Sequence, residues 1–349
     1  MSEQFTKIGD GLLVRAPGKV NLSLLVKGKR PDGYHDIESI MAKIDWYDEI
    51  LIEENSEFRI QNAEENVQYP MSNVECPSEP KIQLICKGEY KVPEGEENLV
   101  YKAAKVILDT ERKKNVQYPM SNVECQSEKD NERQNYDSTG WKPMPRVKIT
   151  LTKNMPAGSG LGSGSSDAAA TLMGINKFLK LGLGKKEIKE LAVTLGSDVA
   201  FFLDGPLGLC TGRGEKVKKL EGCEFRVLLI IPDVSVSTKR VYENYRHDEA
   251  KYRRLSEEIN VYIEKKRIDL ICGMCANILE ESCFELHPKL GVLKKRIESL
   301  GIRPVCLSGS GSSMYCIINN RNEETVMANR DKLKQEFGCR SFIVNNNMW

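Results

Sequence analysis

PAGSGLGSGSSDAAA, Pro156 to Ala170, puts four glycines within seven residues and runs straight into a stretch where Ala168, Leu172, Ile175 and Leu179 keep helical spacing. Glycines let backbone N–H groups converge on one point, Ser165 and Ser166 add hydroxyl donors, and the start of a helix contributes partial positive charge. In physical terms, Pro156, Ala157, Gly158, Ser159, Gly160, Leu161, Gly162, Ser163, Gly164, Ser165 and Ser166 make a polyphosphate cradle. A flexible linker is the plain alternative, but a linker does not lead into an amphipathic helix. No Gly-Lys-Ser/Thr follows, so this is not a Walker loop. Nor is it a dinucleotide fingerprint, because Gly162-Ser163-Gly164 lacks a third glycine and a βαβ setting.

Working outward, Leu12 to Val26 reads as strand. Beyond Gly18, Val20, Leu22, Leu24 and Val26 fall on one face, and Lys19, Asn21 and Ser23 on the other. Lys19 and Asn21 therefore point the same way. A turn from Gly28 to Gly33 precedes Tyr34 and His35, and a second strand runs to Asp48 and Glu49. Further strands are expected at Lys81 to Cys86 and Val147 to Thr152, with an amphipathic helix around Asn98 to Leu108 between them. Ile188, Leu191, Ala192 and Leu195 mark another helix, stopped by Gly196. Phe225 to Ile231 reads as a buried strand opening a second domain. Helical stretches near 240 to 300, a glycine-rich loop at 308–313 and an apolar strand from Met314 to Ile318 follow. Two nearly identical segments, NVQYPMSNVECPSE at 66–79 and NVQYPMSNVECQSE at 115–128, carry no apolar periodicity and read as surface insertions.

The 349 residues suggest two domains, each able to bury a core, and 40% hydrophobic with 29% charged residues is the balance of a soluble globular chain. Fifty-one basic against 50 acidic residues leave +1, so no global field favours nucleic acid or an anionic membrane, and any anion must be held by a local site. The apolar runs fall far short of the ~20 residues that span a bilayer, and no basic-then-apolar signal opens the chain. The expectation is a cytoplasmic protein, monomer or homodimer, with a small-molecule partner. Eleven cysteines are scattered mostly singly, in keeping with reduced, buried thiols. Cys272 and Cys275, at helical spacing and without a second pair or a nearby His, read as core packing rather than a zinc site.

The glycine loop resembles the phosphate loop of the GHMP kinases, and the likeness extends over nearly the whole chain apart from the two insertions. APGKVNLSLLVKGKRPDGYHDIESI at 16–40, LGSDVAFFLDG at 195–205, TGRGE at 211–215 and LSGSGSSMYCI at 307–317 are similar to the family's other motifs. The DGYH stretch is similar to the branch that acts on a polyol joined to cytidine diphosphate. The resemblance implies an α+β, two-domain fold: an N-terminal domain of mixed sheet and helices at 1–220, with insertions near 61–80 and 112–146, and a C-terminal ferredoxin-like sheet-and-helix domain at 221–349. It implies phosphoryl transfer from ATP, with Mg2+, to the 2-hydroxyl of that cytidyl-bearing methylerythritol, a step toward isoprenoid precursors outside the mevalonate route. The rivals are a kinase for another small alcohol, such as mevalonate or homoserine, and a non-catalytic nucleotide-binding regulator on the same fold.

Residue by residue, the resemblance makes Asp198 and Lys19 the catalytic pair. The carboxylate would accept the hydroxyl proton, and the ammonium would keep it ionised and offset charge near the transferring phosphoryl group. By sequence alone Asp198 reads first as a cap on the short apolar segment that follows, and the family match reverses that order. Asn21 would bind the polyol, His35 would hydrogen-bond the cytosine, and Tyr34 and Tyr242 would stack on it. Asn98 and Lys153 match positions beside the nucleotide. Gly309, Ser310 and Gly311 would form a nest near the substrate's diphosphate, or simply a bend before a strand. No protein ligand for the metal is assigned. Ser159 and Ser163 replace glycines common in the family loop, which is tolerable only if neither needs a positive φ. Ala200 also departs from the family pattern, where proline is usual after Asp-Val, as does the stretch from Asn277 to Glu280.

Overall fold

In the computed structural model, residues 4–55, 81–117, 146–222, 224–319 and 321–347 are described. The short strand β1 (Phe5–Ile8) pairs antiparallel with β2 (Gly11–Lys29), and β2 pairs along its length with β3 (His35–Glu54). Three shifts of register interrupt that long ladder, between Pro17 and Gly18, Asn21 and Ser23, and Val26 and Gly28. Such irregularities re-aim side chains, and Lys19 and Asn21 sit between the first two. β4 (Lys81–Gly88) and β5 (Arg146–Lys153) run parallel to each other, with β5 against β3. β6 (Leu207–Gly212) pairs with the first part of β3, Ile37 to Ala42, on the same edge as β5, and carries β7 (Lys216–Lys219) at its own edge.

The helices α1 (Leu99–Gln117), α2 (Ser163–Phe178), α3 (Lys185–Leu195) and α4 (Val199–Phe202) cover one face of this sheet. Val14, Ala16, Ile50 and Ile52 from the strands meet Val100, Ala104 and Ile107 of α1 and Ala168, Leu172 and Ile175 of α2 there. The next stretch of β2, with Val20, Leu22, Leu24 and Val26, packs instead into a second core shared with the C-terminal half.

That half contains β8 (Arg226–Ile231), α5 (Thr238–Asn244), α6 (Glu249–Glu264) and α7 (Ile268–Met274), followed by the two-residue strand β9 (Ala276–Asn277). Then come α8 (Glu280–Leu286), α9 (Pro288–Ser299), β10 (Cys306–Leu307), β11 (Met314–Ile317), α10 (Glu323–Phe337) and β12 (Arg340–Asn345). The sheet order β10-β11-β8-β12, all antiparallel, with helices after β8 and after β11, is the ferredoxin-like arrangement. β9 leaves this sheet and adds to β2 in parallel, so one short segment of the second half completes the first sheet.

Several expectations need correction. The helix after Asn98 continues to Gln117, so the first three residues of the second repeat are helical and the rest of the expected insertion lies outside the described residues, up to the start of β5 at Arg146. The first repeat, 66–79, lies wholly outside them. The thiols are not all reduced: Cys275 is bonded to Cys306, while Cys272 is buried and takes no part in that disulfide. Cys275 ends α7 in the left-handed conformation, which turns it away from Cys272 and toward β10. Among the described residues no helix is long and apolar enough to cross a membrane.

Candidate active site

The glycine loop takes its shape from alternating backbone handedness. Gly158, Gly160 and Gly162 have φ of 67°, 84° and 66°, whereas Ser159 and Ser163, between and after them, do not enter the positive-φ region. Both serine hydroxyls instead donate to the carbonyl of Pro156, at 2.9 and 3.2 Å, and tie the loop to its own start. Gly162 is the left-handed N-cap from which α2 departs. Gly160 admits no side chain, because a Cβ there would collide with the Ser308 carbonyl in addition to the unfavourable φ. The second glycine loop thus packs directly on the first: Ser313 N–H donates to the Ser159 carbonyl and the Ser308 hydroxyl to that of Gly160, both at 2.9 Å.

Lys19 connects this double loop to Asp198. Its backbone N–H donates to the Leu161 carbonyl, and its ammonium donates to Asn21 Oδ1 at 2.6 Å and to the Gly160 carbonyl at 2.9 Å. The same ammonium stands 3.8 Å from Asp198 Oδ2. Burial lowers the lysine below its ordinary value, against the opposing pull of Asp198. Asp198 does precede α4, but its carboxylate makes no capping hydrogen bond. Its side chain is 31% exposed and lines the cleft, so the capping alternative fails on geometry. Asn21, on the same strand face as Lys19, donates its amide to the Ser39 hydroxyl at 2.8 Å, which holds the amide fixed.

The cleft is a cavity of about 890 Å³ that runs from these groups to an aromatic mouth formed by Tyr34, His35 and Tyr242. The Tyr242 ring lies 5.3 Å from that of His35, and Tyr245 meets His35 edge-on at 6.3 Å. Burial, with smaller contributions from Lys29 and His247, lowers the His35 imidazole below its ordinary value and favours its neutral form. Tyr34 is 55% exposed, and the described group over its ring is the guanidinium of Arg213, at 5.0 Å.

Not every expected residue reaches the cleft. Gly158, Ser159, Gly160, Gly162, Ser163, Gly164 and Ser165 line it, but Pro156, Ala157, Leu161 and Ser166 do not. Gly309 and Ser310 line it as well, whereas Gly311 falls outside and its N–H closes a turn onto Ser308. Asn98 lies outside too, capping α1: its side-chain oxygen accepts from Val100 N–H and its amide donates to the Pro93 carbonyl. Lys153 is the largest departure. It is 1% exposed, and its ammonium sits 2.5 Å from both Asp48 Oδ2 and Asp167 Oδ2. Burial alone would lower this lysine, but the two carboxylates more than offset that and raise it. Burial pushes Asp167 up, since one ammonium cannot fully compensate two buried carboxylates.

Sequence reasoning passed over several residues that shape the site. Asn277 donates to the carbonyls of Leu307 and Gly309 and so holds the second glycine loop from β9. Ser308 bridges Asn21 N–H and the Gly160 carbonyl. The burial of Lys153 was readable from the alternation of β5, where it is in phase with Val147, Ile149 and Leu151. Asn98, placed directly before a helix, carried an N-cap signal of its own.

Comparison with known proteins agrees with this geometry. The family description "GHMP kinases N terminal domain" matches residues 98–206, and "GHMP kinases C terminal" matches 247–333. The 4-diphosphocytidyl-2-C-methyl-D-erythritol kinase of Bacillus cereus (strain B4264) is 33% identical over 312 residues, covering 88% of this chain and 89% of its own length. A crystal structure of 4-(cytidine 5'-diphospho)-2C-methyl-D-erythritol kinase superposes with TM-score 0.62 at 25% identity, over 96% of this chain and 99% of that one. A homoserine kinase from Cytophaga hutchinsonii shares the fold at TM-score 0.64 and 19% identity, over 99% and 98% of the two chains. The chain belongs to the GHMP kinase family, within its group of 4-diphosphocytidyl-2-C-methyl-D-erythritol kinases.

Proposed function

We propose that the protein transfers the terminal phosphoryl group of ATP to the 2-hydroxyl of 4-diphosphocytidyl-2-C-methyl-D-erythritol, a reaction of isoprenoid precursor synthesis. One observation carries this reading: the Lys19–Asp198 pair, the glycine loop and the aromatic mouth all open into one cavity. The glycine loop would bind the ATP phosphates through Gly158 to Ser165. Asp198, free of any capping bond, would take the proton of the acceptor hydroxyl as it attacks. Lys19 would keep that carboxylate ionised and place positive charge next to the transferred group, while its bonds to Gly160 and Asn21 fix its position. Asn21 would face the polyol. His35, Tyr34 and Tyr242 would hold the cytosine, and Gly309 and Ser310 would lie along the diphosphate.

A magnesium ion fits the donor set only as a companion of the phosphates. Among the described residues no group of three His, Cys, Asp or Glu could hold a metal, yet the Ser166 hydroxyl at the start of α2 is buried with no hydrogen-bond partner. Ser166 does not itself line the cleft, so it is not assigned to the ion, which would be held through the phosphates and offset their charge. The same reading divides the chain at 220 and 221, supported by the two sheets, with β9 as the exchanged segment, and it sets the reaction in the cytoplasm. ATP consumption with the cytidyl substrate beside mevalonate and homoserine tests it. Turnover confined to the cytidyl substrate is expected, and turnover of either small alcohol in its place would overturn it.

A further inference from the structure

Arg213 has no part in the assignments above, although it lines the cleft. It stands on the turn between β6 and β7, closed by a bond from Gly214 N–H to the Thr211 carbonyl, with Gly212 at φ 71° and Gly214 at φ 115°. Glu215 folds back to accept the N–H of Arg213 itself at 2.7 Å, so this acid is committed to the backbone of the turn. The turn presses on the reacting end of the site, since a Cβ at Gly214 would stand 3.5 Å from Asp198 Oδ1. The guanidinium, however, reaches the other end and lies over Tyr34.

Of the other cations lining the cleft, Lys19 is engaged with Asn21, Gly160 and Asp198 and Lys239 with Glu243 at 3.9 Å, while Lys29 stands at the mouth with its charge acting on His35. Asp32, at the same mouth, is held by Arg30 at 3.2 Å and also feels the charge of Arg213 from beyond ion-pair distance. Among the described residues no carboxylate lies within ion-pair distance of the Arg213 guanidinium. A guanidinium stacked on an aromatic ring keeps its in-plane N–H donors available, a geometry suited to two phosphate oxygens at once.

We infer that Arg213 binds the diphosphate of the acceptor substrate, bridging the base end of the cleft and the Asp198 end, and so sets specificity for a nucleoside-diphosphate-linked alcohol. The inference rests on the proposed function, which places a base at Tyr34 and the reacting hydroxyl at Asp198. A linker between them carries negative charge, and Arg213 is a half-buried cation whose turn packs near Asp198 while its guanidinium lies over Tyr34.

The test is calorimetric titration of cytidine and of CDP into the full chain, with the glycine loop saturated by a non-hydrolysable ATP analogue, for wild type, Arg213→Gln and Arg213→Lys. A lost charge-assisted hydrogen bond corresponds to roughly 10- to 150-fold. Arg213→Gln should weaken CDP by that factor and leave cytidine within about twofold, and Arg213→Lys should recover part of the loss through its charge. Equal losses for cytidine and CDP would overturn the inference and make Arg213 a prop for Tyr34. Unchanged CDP affinity would overturn it as well, while leaving the proposed function standing. A wild-type chain that binds neither ligand would sink both.

Discussion

The two ends of the cleft are built on different principles. At the phosphate end the backbone makes the site: three glycines of positive φ, a second glycine loop locked onto the first by Ser308 and Ser313, and a buried ammonium donating into the Gly160 carbonyl. At the base end side chains make it: Tyr34 and His35 from the turn into β3, Tyr242 from α5 and Arg213 from a separate turn, with few hydrogen bonds and much exposure. A backbone cradle is rigid and indifferent to which alcohol is bound, so it serves a whole family. A side-chain pocket can be altered one residue at a time, so substrate choice resides there.

The contrast can be broken most severely at the junction. Asp198→Asn should abolish turnover, by ~100- to 10,000-fold for loss of a general base, while ATP binding measured directly survives. A folded Asp198→Asn protein with near-normal turnover would remove the base from the scheme. Lys19→Ala should impair the chemical step too, with an added loss of thermal stability because the carbonyl of Gly160 loses a donor.

At the phosphate end, Gly160→Ala must move the Ser308 carbonyl and adopt a strained φ, a cost of about 1 to 3 kcal/mol. ATP affinity and the acceptor KM should both worsen, since the two glycine loops are one unit. An effect confined to ATP would show that they act independently. At the base end, Tyr34→Ala, His35→Ala and Tyr242→Ala should each weaken the cytidyl substrate by ~1 to 3 kcal/mol and leave ATP unchanged. A loss shared by both ligands would mean general disruption rather than a lost base contact.

The smallest expected effect on the reaction lies beneath the site, where the readout is stability. Lys43 is buried, with its ammonium donating to the carbonyls of Phe202 and Asp204, and burial pushes it down to about 8. Between about pH 8 and the ordinary lysine value of 10.5 the unfolded chain holds the extra proton, so unfolding free energy should rise with pH across that window. Denaturation of Lys43→Met at several pH values should lack this rise, and an unchanged slope would assign it to another group.

How much of this was legible depends on the range of the interaction. Alternation along β2 already put Lys19 and Asn21 on one face, and the glycine spacing announced a phosphate cradle ending in a helix. Both are local properties of the chain, set by side-chain period and by which residues tolerate positive φ. Local reading reaches less far where an interaction partner is distant. Alternation could bury Lys153, which the resemblance sets beside the nucleotide, but nothing near it in sequence reveals Asp48, 105 residues away. β12, which joins the second sheet from the far end of the chain, left no comparable local mark.

Periodicity and glycine spacing were therefore enough for the strands, the glycine loop running into a helix and the shared face of Lys19 and Asn21, whereas the fold class came from the resemblance to a known family. Tertiary packing alone decided that Asp198 is a free carboxylate rather than a cap, that Cys275 meets Cys306 and not Cys272, and that Arg213 stands over Tyr34. The physical reason is the same in each case. A side chain's charge state, bonding and exposure depend on what surrounds it in space, and those neighbours come from segments that only the folded chain brings together.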